Sequence, residues 1–163
     1  MDNIFDKNNY VKELDDNDIM LIKRTYDFVM ENCSDIHPLG TAILHNTTHI
    51  IYGLSSNSPL GYDVHGEHVV IGNSYVFDKN NKNFSSLVSL TRTNENKYKI
   101  KSPCGICREL LRYHYPDLYI IVPKSTDVIT VDDNNFNELI KIKAKYLLPY
   151  PYISSKLPND CKI

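Results

Sequence analysis

Two short runs, His65-Gly66-Glu67 and Pro103-Cys104-Gly105-Ile106-Cys107, constrain this chain more than any other feature. One imidazole and two thiols suit a tetrahedral zinc ion, and three ligands leave the fourth position open, as a hydrolytic site needs. A compatible fold must bring residue 65 against residues 104 and 107. Glu67, two residues past the first ligand, is then placed to move a proton. The other readings of a Cys-x-x-Cys pair lack support in the rest of the chain. A structural zinc needs a fourth donor, and no second Cys-x-x-Cys or Cys-x-x-His supplies it. A redox pair of the thioredoxin kind would follow a strand near the start of the chain.

The chain has 163 residues, 42% apolar and 23% charged, which fits a single domain with a sizeable core spanning 1–163. Residues 1–10 read as a loose arm and 154–163 as a loose tail. No apolar run reaches the length of a membrane span, and the first residues lack the pattern of a secretory signal, so a cytoplasmic location is expected. The net charge of −2 gives no basic stripe for a long nucleic acid and favours a small substrate. The one basic cluster, Lys141, Lys143 and Lys145, reads as a solvated helix face. Of the four cysteines, Cys33 reads as a small core residue and Cys161 as part of the exposed terminus. His45, His49 and His114 stand in no metal-binding spacing and read as satisfied or solvated. For His68, a supporting role beside the metal and plain exposure are equally open.

Hydrophobic periodicity predicts a helix starting near Asp15 to Asp18 and ending around Ser34-Asp35. Leu39–Leu44 and Thr48–Leu54 read as strands joined by a short turn, followed by a Ser55–Asp63 loop. Val64–Phe77 is assigned to a helix by its position, against its β-branched content. Lys79–Phe84 reads as a polar connector and Ser86–Thr93 as a buried strand. A helix is expected with Pro103 in its first turn, running to about His114. Leu118–Val122 and Val128–Val131 read as strands, and Phe136–Leu147 as a helix capped by Asp132-Asp133. Pro149 and Pro151 then predict an extended tail. This alternation points to an α/β sandwich.

With these residues in view, the chain resembles the cytidine deaminase family from about Leu39 to Tyr152, with its nearest likeness to the blasticidin-S deaminase branch. The strongest block is Ser102-Pro103-Cys104-Gly105-Ile106-Cys107-Arg108-Glu109-Leu110. His37, Tyr152 and the Tyr115-Pro116-Asp117 passage carry the likeness to that branch. The resemblance implies a three-layer α/β/α fold around a mixed five-stranded sheet. It also implies one zinc ion per subunit, held by His65, Cys104 and Cys107, with Glu67 as the proton shuttle. Gly66 would offer its amide to the base carbonyl, Ser55 and Asn57 would line the sugar side, and Tyr152 would pack against the base from its own or a neighbouring subunit. His37 is a further substrate-side candidate. The expected partner is a cytosine nucleoside (cytidine, deoxycytidine or a blasticidin-S-like analogue), with a homotetramer favoured over a dimer.

Two departures stand out. Where the tetrameric branch usually has Cys-Ala-Glu-Arg, this chain has His65-Gly66-Glu67-His68. Exchanging a thiolate for an imidazole removes one negative charge, which makes the offsetting Arg less needed. Glycine in place of alanine keeps the amide and loosens the backbone. Ser55 and Asn57 replace the Asn and Glu of the usual ribose clamp, so a charge-assisted hydrogen bond is lost and the substrate can differ. Two other functions remain open: deamination of another base or nucleotide, and a non-catalytic zinc-bearing binding module.

Overall fold

The computed structural model describes residues 10–80, 83–93, 97–125 and 136–152. The expected N-terminal arm to residue 9, the tail with Cys161, the Val128–Val131 strand and the Asp132-Asp133 cap lie outside the described residues.

Elements follow in the order β1 (Val11–Lys12), α1 (Asp16–Asn32), β2 (Leu39–His45), β3 (His49–Leu54), α2 (Gly66–Phe77), β4 (Phe84–Arg92), β5 (Tyr98–Ile100), α3 (Gly105–His114), β6 (Tyr119–Pro123) and β7 (Leu139–Lys143). The sheet runs β1-β7-β6-β4-β2-β3, with β5 paired to β4. β4 and β6 are parallel and the remaining pairs antiparallel, so the sheet is mixed. It has seven strands, not the expected five. The excess is two short strands, β1 at one edge and β5 beside the end of β4, too brief to leave a period-2 signal.

Local chemistry explains the boundaries. Asp15 caps α1 by accepting from the Asn17 and Asp18 amides, and Asp18 reciprocates on the Asp15 amide in a capping box. The β2–β3 hairpin turns through Asn46 and Thr47, both at positive φ, as a tight hairpin turn requires. Gly53 on β3 lies where a Cβ would come within 2.8 Å of the Gly66 carbonyl and the Val70 amide. Its missing side chain lets α2 settle directly onto the hairpin.

The sheet separates two cores. Leu21, Ile22 and Val29 of α1 pack with Ala42, Leu44, Val88 and Leu90 on one face. Val70 and Ile71 of α2 and Leu111 of α3 pack with Ile43, Leu87 and Ile120 on the other. This is the expected three-layer arrangement. Strand alternation sends successive residues of β2 and β4 to opposite faces, and β2 and β4 pair Thr41 with Ser89 directly across the register.

The expected helix over 136–147 is instead a 3₁₀ turn at Phe136–Glu138, strand β7, and a second 3₁₀ turn at Ala144–Tyr146. Leu139 faces the α1 core while Ile140 and Ile142 face the other, so the segment has a strand's period. Its lysines are not a solvated helix face. Lys141 is buried and bonded to Asp18 at 2.5 Å and Asp15 at 2.6 Å. Lys143 and Lys145 both pair with Asp117. Pro103 stands one residue before the α3 N-cap, Cys104, rather than inside the first turn. Between the two prolines of the tail, Tyr150 takes a positive φ in place of the expected extended conformation. Cys33 caps the end of α1, half-buried against the first core. His45 Nε2 meets Asp78, His49 meets Thr48 and His114 meets Tyr75, while the buried His45 Nδ1 has no partner among the described residues. Among the described residues, no helix is long and apolar enough to cross a membrane.

Candidate active site

His65 is the N-cap of α2 and Cys104 the N-cap of α3, and neither side chain caps its own helix. Both turn toward each other. His65 Nδ1 lies 3.2 Å from Cys104 Sγ and 3.2 Å from Cys107 Sγ. In a tetrahedral zinc site with ordinary bond lengths, the nitrogen–sulfur edge is about 3.6 Å. Both sulfurs therefore already stand near the distance from the imidazole nitrogen that one zinc ion imposes. The first-turn amides of both helices, unsatisfied within the helix, add a positive field that suits thiolates.

His65, His68 and Cys107 also bring ligand atoms within 4.8 Å of one another. His68 is the weaker third donor. Its Nε2 is 3.8 Å from Cys107 Sγ, and its ring lies parallel to that of His65 at 5.2 Å. Burial and the neighbouring His65 hold the His68 imidazole below its ordinary pKa, so it is neutral at pH 7. Burial above all, then the Glu67 carboxylate and Cys104, push the Cys107 thiol strongly up. A cation bound among these donors would relieve that penalty, because metal binding and thiol deprotonation are coupled.

Glu67 is almost fully buried, at 4% exposure. Its Oε2 is 3.5 Å from Cys107 Sγ, and its Oε1 accepts a hydrogen bond from Ser89 Oγ at 3.1 Å. Ser89 Oγ is in turn 2.9 Å from Thr41 Oγ1. The registered Thr41–Ser89 pair thus orients the carboxylate. Gly66 fits this packing for a reason other than backbone looseness. A Cβ there would stand 2.5 Å from Thr41 Oγ1.

A cleft of about 370 Å³ opens over these groups, lined among others by Leu39, Ser55, Asn57, Asp63, His65, Gly66, Glu67, Thr91, Lys101 and Cys104. Its size falls within the range of small-molecule sites. Ser55 is buried, and its hydroxyl accepts from the Leu39 amide at 3.0 Å. Asn57 is exposed on the cleft wall. His37 stands behind this wall, its Nδ1 2.8 Å from the Ser55 carbonyl, and is not among the lining residues. Tyr152 is 76% exposed and also lies away from the lining.

The structure therefore brings His65, Glu67, Cys104, Gly66, Ser55 and Asn57 to one cleft, with the fully buried Cys107 against His65 and Glu67, and leaves His37 and Tyr152 outside its wall. Sequence reading missed Thr41, Ser89, Asp63 and Lys101. The available signal for the first two was a hydroxyl at an inward position of an otherwise apolar strand.

This arrangement of sheet, helices and cleft is the fold of the cytidine deaminases. The cytidine deaminase from Burkholderia pseudomallei superposes with a TM-score of 0.60 at 16% identity, over 82% of this chain and 97% of that one. The enzyme from Bacillus anthracis gives 0.59 at 19% identity, over 82% and 87%. No protein-family model matches the chain. At the level of sequence, a blasticidin-S deaminase from Bacillus cereus is 26% identical over 121 residues, 71% of this chain and 77% of that protein. In sequence the chain is thus similar to a blasticidin-S deaminase, and in fold to the cytidine deaminases.

Proposed function

We propose that this protein is a zinc-dependent hydrolytic deaminase that converts a cytosine nucleoside, or a close analogue, to its uracil form and releases ammonia. The observation that carries the reading is the convergence of one imidazole, two thiols and a buried carboxylate at the floor of one cleft.

His65, Cys104 and Cys107 would hold the metal. Bound zinc supplies Lewis acidity that brings the pKa of a water near neutrality. Glu67 would take one proton from the attacking water and give it to the ring nitrogen, then carry the second proton, from the new C4 hydroxyl, to the departing amine. The C4–N bond breaks, a C4–O bond forms, and ammonia leaves. Ser89 holds the Glu67 carboxylate at one oxygen and leaves the other for the proton. The Gly66 N–H, first in α2, has no acceptor within the helix and is free for the base carbonyl. Ser55 and Asn57 meet the sugar. His68 stays beside the Cys107 sulfur as a neutral neighbour.

The reading extends to a cytoplasmic, single-domain subunit of a homotetramer, with Tyr152 reaching a neighbouring subunit's cleft. Exposed Tyr150, Tyr152, Val76 and Ile106 support such burial between copies. Loss of ultraviolet absorbance across a panel of cytosine compounds tests the function. Turnover of at least one nucleoside by the zinc-loaded protein is expected. Inactivity on all of them with full metal occupancy would favour a binding module and overturn the reading.

A further inference from the structure

A phosphate-bearing or otherwise anionic substrate needs a cation at its sugar end, and the Ser55–Asp63 loop has no lysine or arginine. The fold supplies one from elsewhere. Lys101, in the connection from β5 to α3, lines the same cleft as Ser55 and Asn57. Its position is fixed, since its amide donates to the Ser89 carbonyl at 2.9 Å. Ser89 thus sets both ends of the cleft: its side chain holds Glu67 at the buried floor, and its backbone holds Lys101 at the exposed rim.

Several other lysines are engaged. Lys124 pairs with Glu13, Lys141 with Asp15 and Asp18, and Lys143 and Lys145 with Asp117, while Lys12 and Lys23 lie over aromatic rings. The Lys101 side chain has no ion-pair or hydrogen-bond partner among the described residues. Across the rim, the Asp63 carboxylate accepts from the Ser58 amide at 3.0 Å and is held within its own loop. The rim therefore presents a free ammonium beside the two neutral side chains assigned to the sugar. A plain nucleoside needs only the neutral pair.

The geometry points to Lys101 as a specificity-determining residue that binds an anionic substituent, carboxylate or phosphate, on the sugar side of the cytosine nucleoside. This rests on the deaminase reading above and names the substrate class within it. The contact forms at an exposed rim, so it is partly screened and shifts affinity moderately.

The test compares zinc-loaded wild type and Lys101→Met on cytidine, cytidine 5′-monophosphate and a cytosine nucleoside with a 5′-carboxylate. In the wild type, at least one anionic compound should have a higher kcat/KM than cytidine. Its advantage should fall about five- to tenfold in Lys101→Met, through KM, and should shrink with added salt in the wild type only. The favoured anion distinguishes carboxylate from phosphate. An anionic-to-neutral ratio unchanged by Lys101→Met would overturn the assignment and leave the deaminase reading standing. If no nucleoside is turned over, the deaminase reading falls. Calorimetric binding of the same three compounds then decides: anion-selective binding lost in Lys101→Met supports the site, and equal binding by both proteins refutes it.

Discussion

Strand β4 carries one buried carboxylate network on each face of the sheet, and the two are built differently. On the α1 face, Ser86 donates to Asp18 at 2.5 Å, and Asp18 is neutralised by the buried Lys141. On the α2 face, Ser89 donates to Glu67, also buried, but no lysine or arginine pairs with that carboxylate among the described residues. Cys107 Sγ approaches it at 3.5 Å instead, and His65 and His68 in turn meet that sulfur. A buried charge is costly unless compensated. The first network closes its own balance and serves the fold. The second has no such partner among the described residues, and under the proposed function a bound cation would complete it.

The largest effect that separates the two faces is expected at Lys141. Lys141→Met strands the Asp18 carboxylate and should destabilise the protein by about 3 kcal/mol in chemical denaturation, the usual cost of breaking a buried pair. Turnover per folded molecule should persist. A fall in kcat without a loss of stability would break the comparison.

The two serines of β4 sharpen it further. Ser89→Ala removes the donor to Glu67 and should lower kcat roughly tenfold, with a stability change of about 1 kcal/mol. Ser86→Ala should cost a similar ~1 kcal/mol and leave kcat in place. Equal kinetic effects of the two, measured with folded fractions matched, would mean that Ser89 acts only through packing.

Much of this was legible in the sequence because it is written locally. The Asp15 capping box, the β-branched and apolar runs of β2 and β3, and the paired motifs at the starts of α2 and α3 all signal within a few residues. β7 was misread because its buried lysine is neutralised by residues of α1, and no local pattern discloses an ion pair across the whole chain. Lys101 was missed for a similar reason: it is remote in sequence from Ser55 and Asn57, and the β4–β5 pairing delivers it to their cleft from the segment before Cys104. The Ser86 and Ser89 hydroxyls were visible in the sequence. Their opposite roles follow only from knowing which helix covers each face.

The most direct measurement pairs metal content with ammonia release in Glu67→Gln. The amide keeps the shape and removes the proton carrier. The variant should bind one zinc per chain through His65, Cys104 and Cys107 as the wild type does, while ammonia release from the preferred cytosine nucleoside falls by about 10³-fold or more. Wild-type turnover in a metal-loaded Glu67→Gln protein would contradict the account.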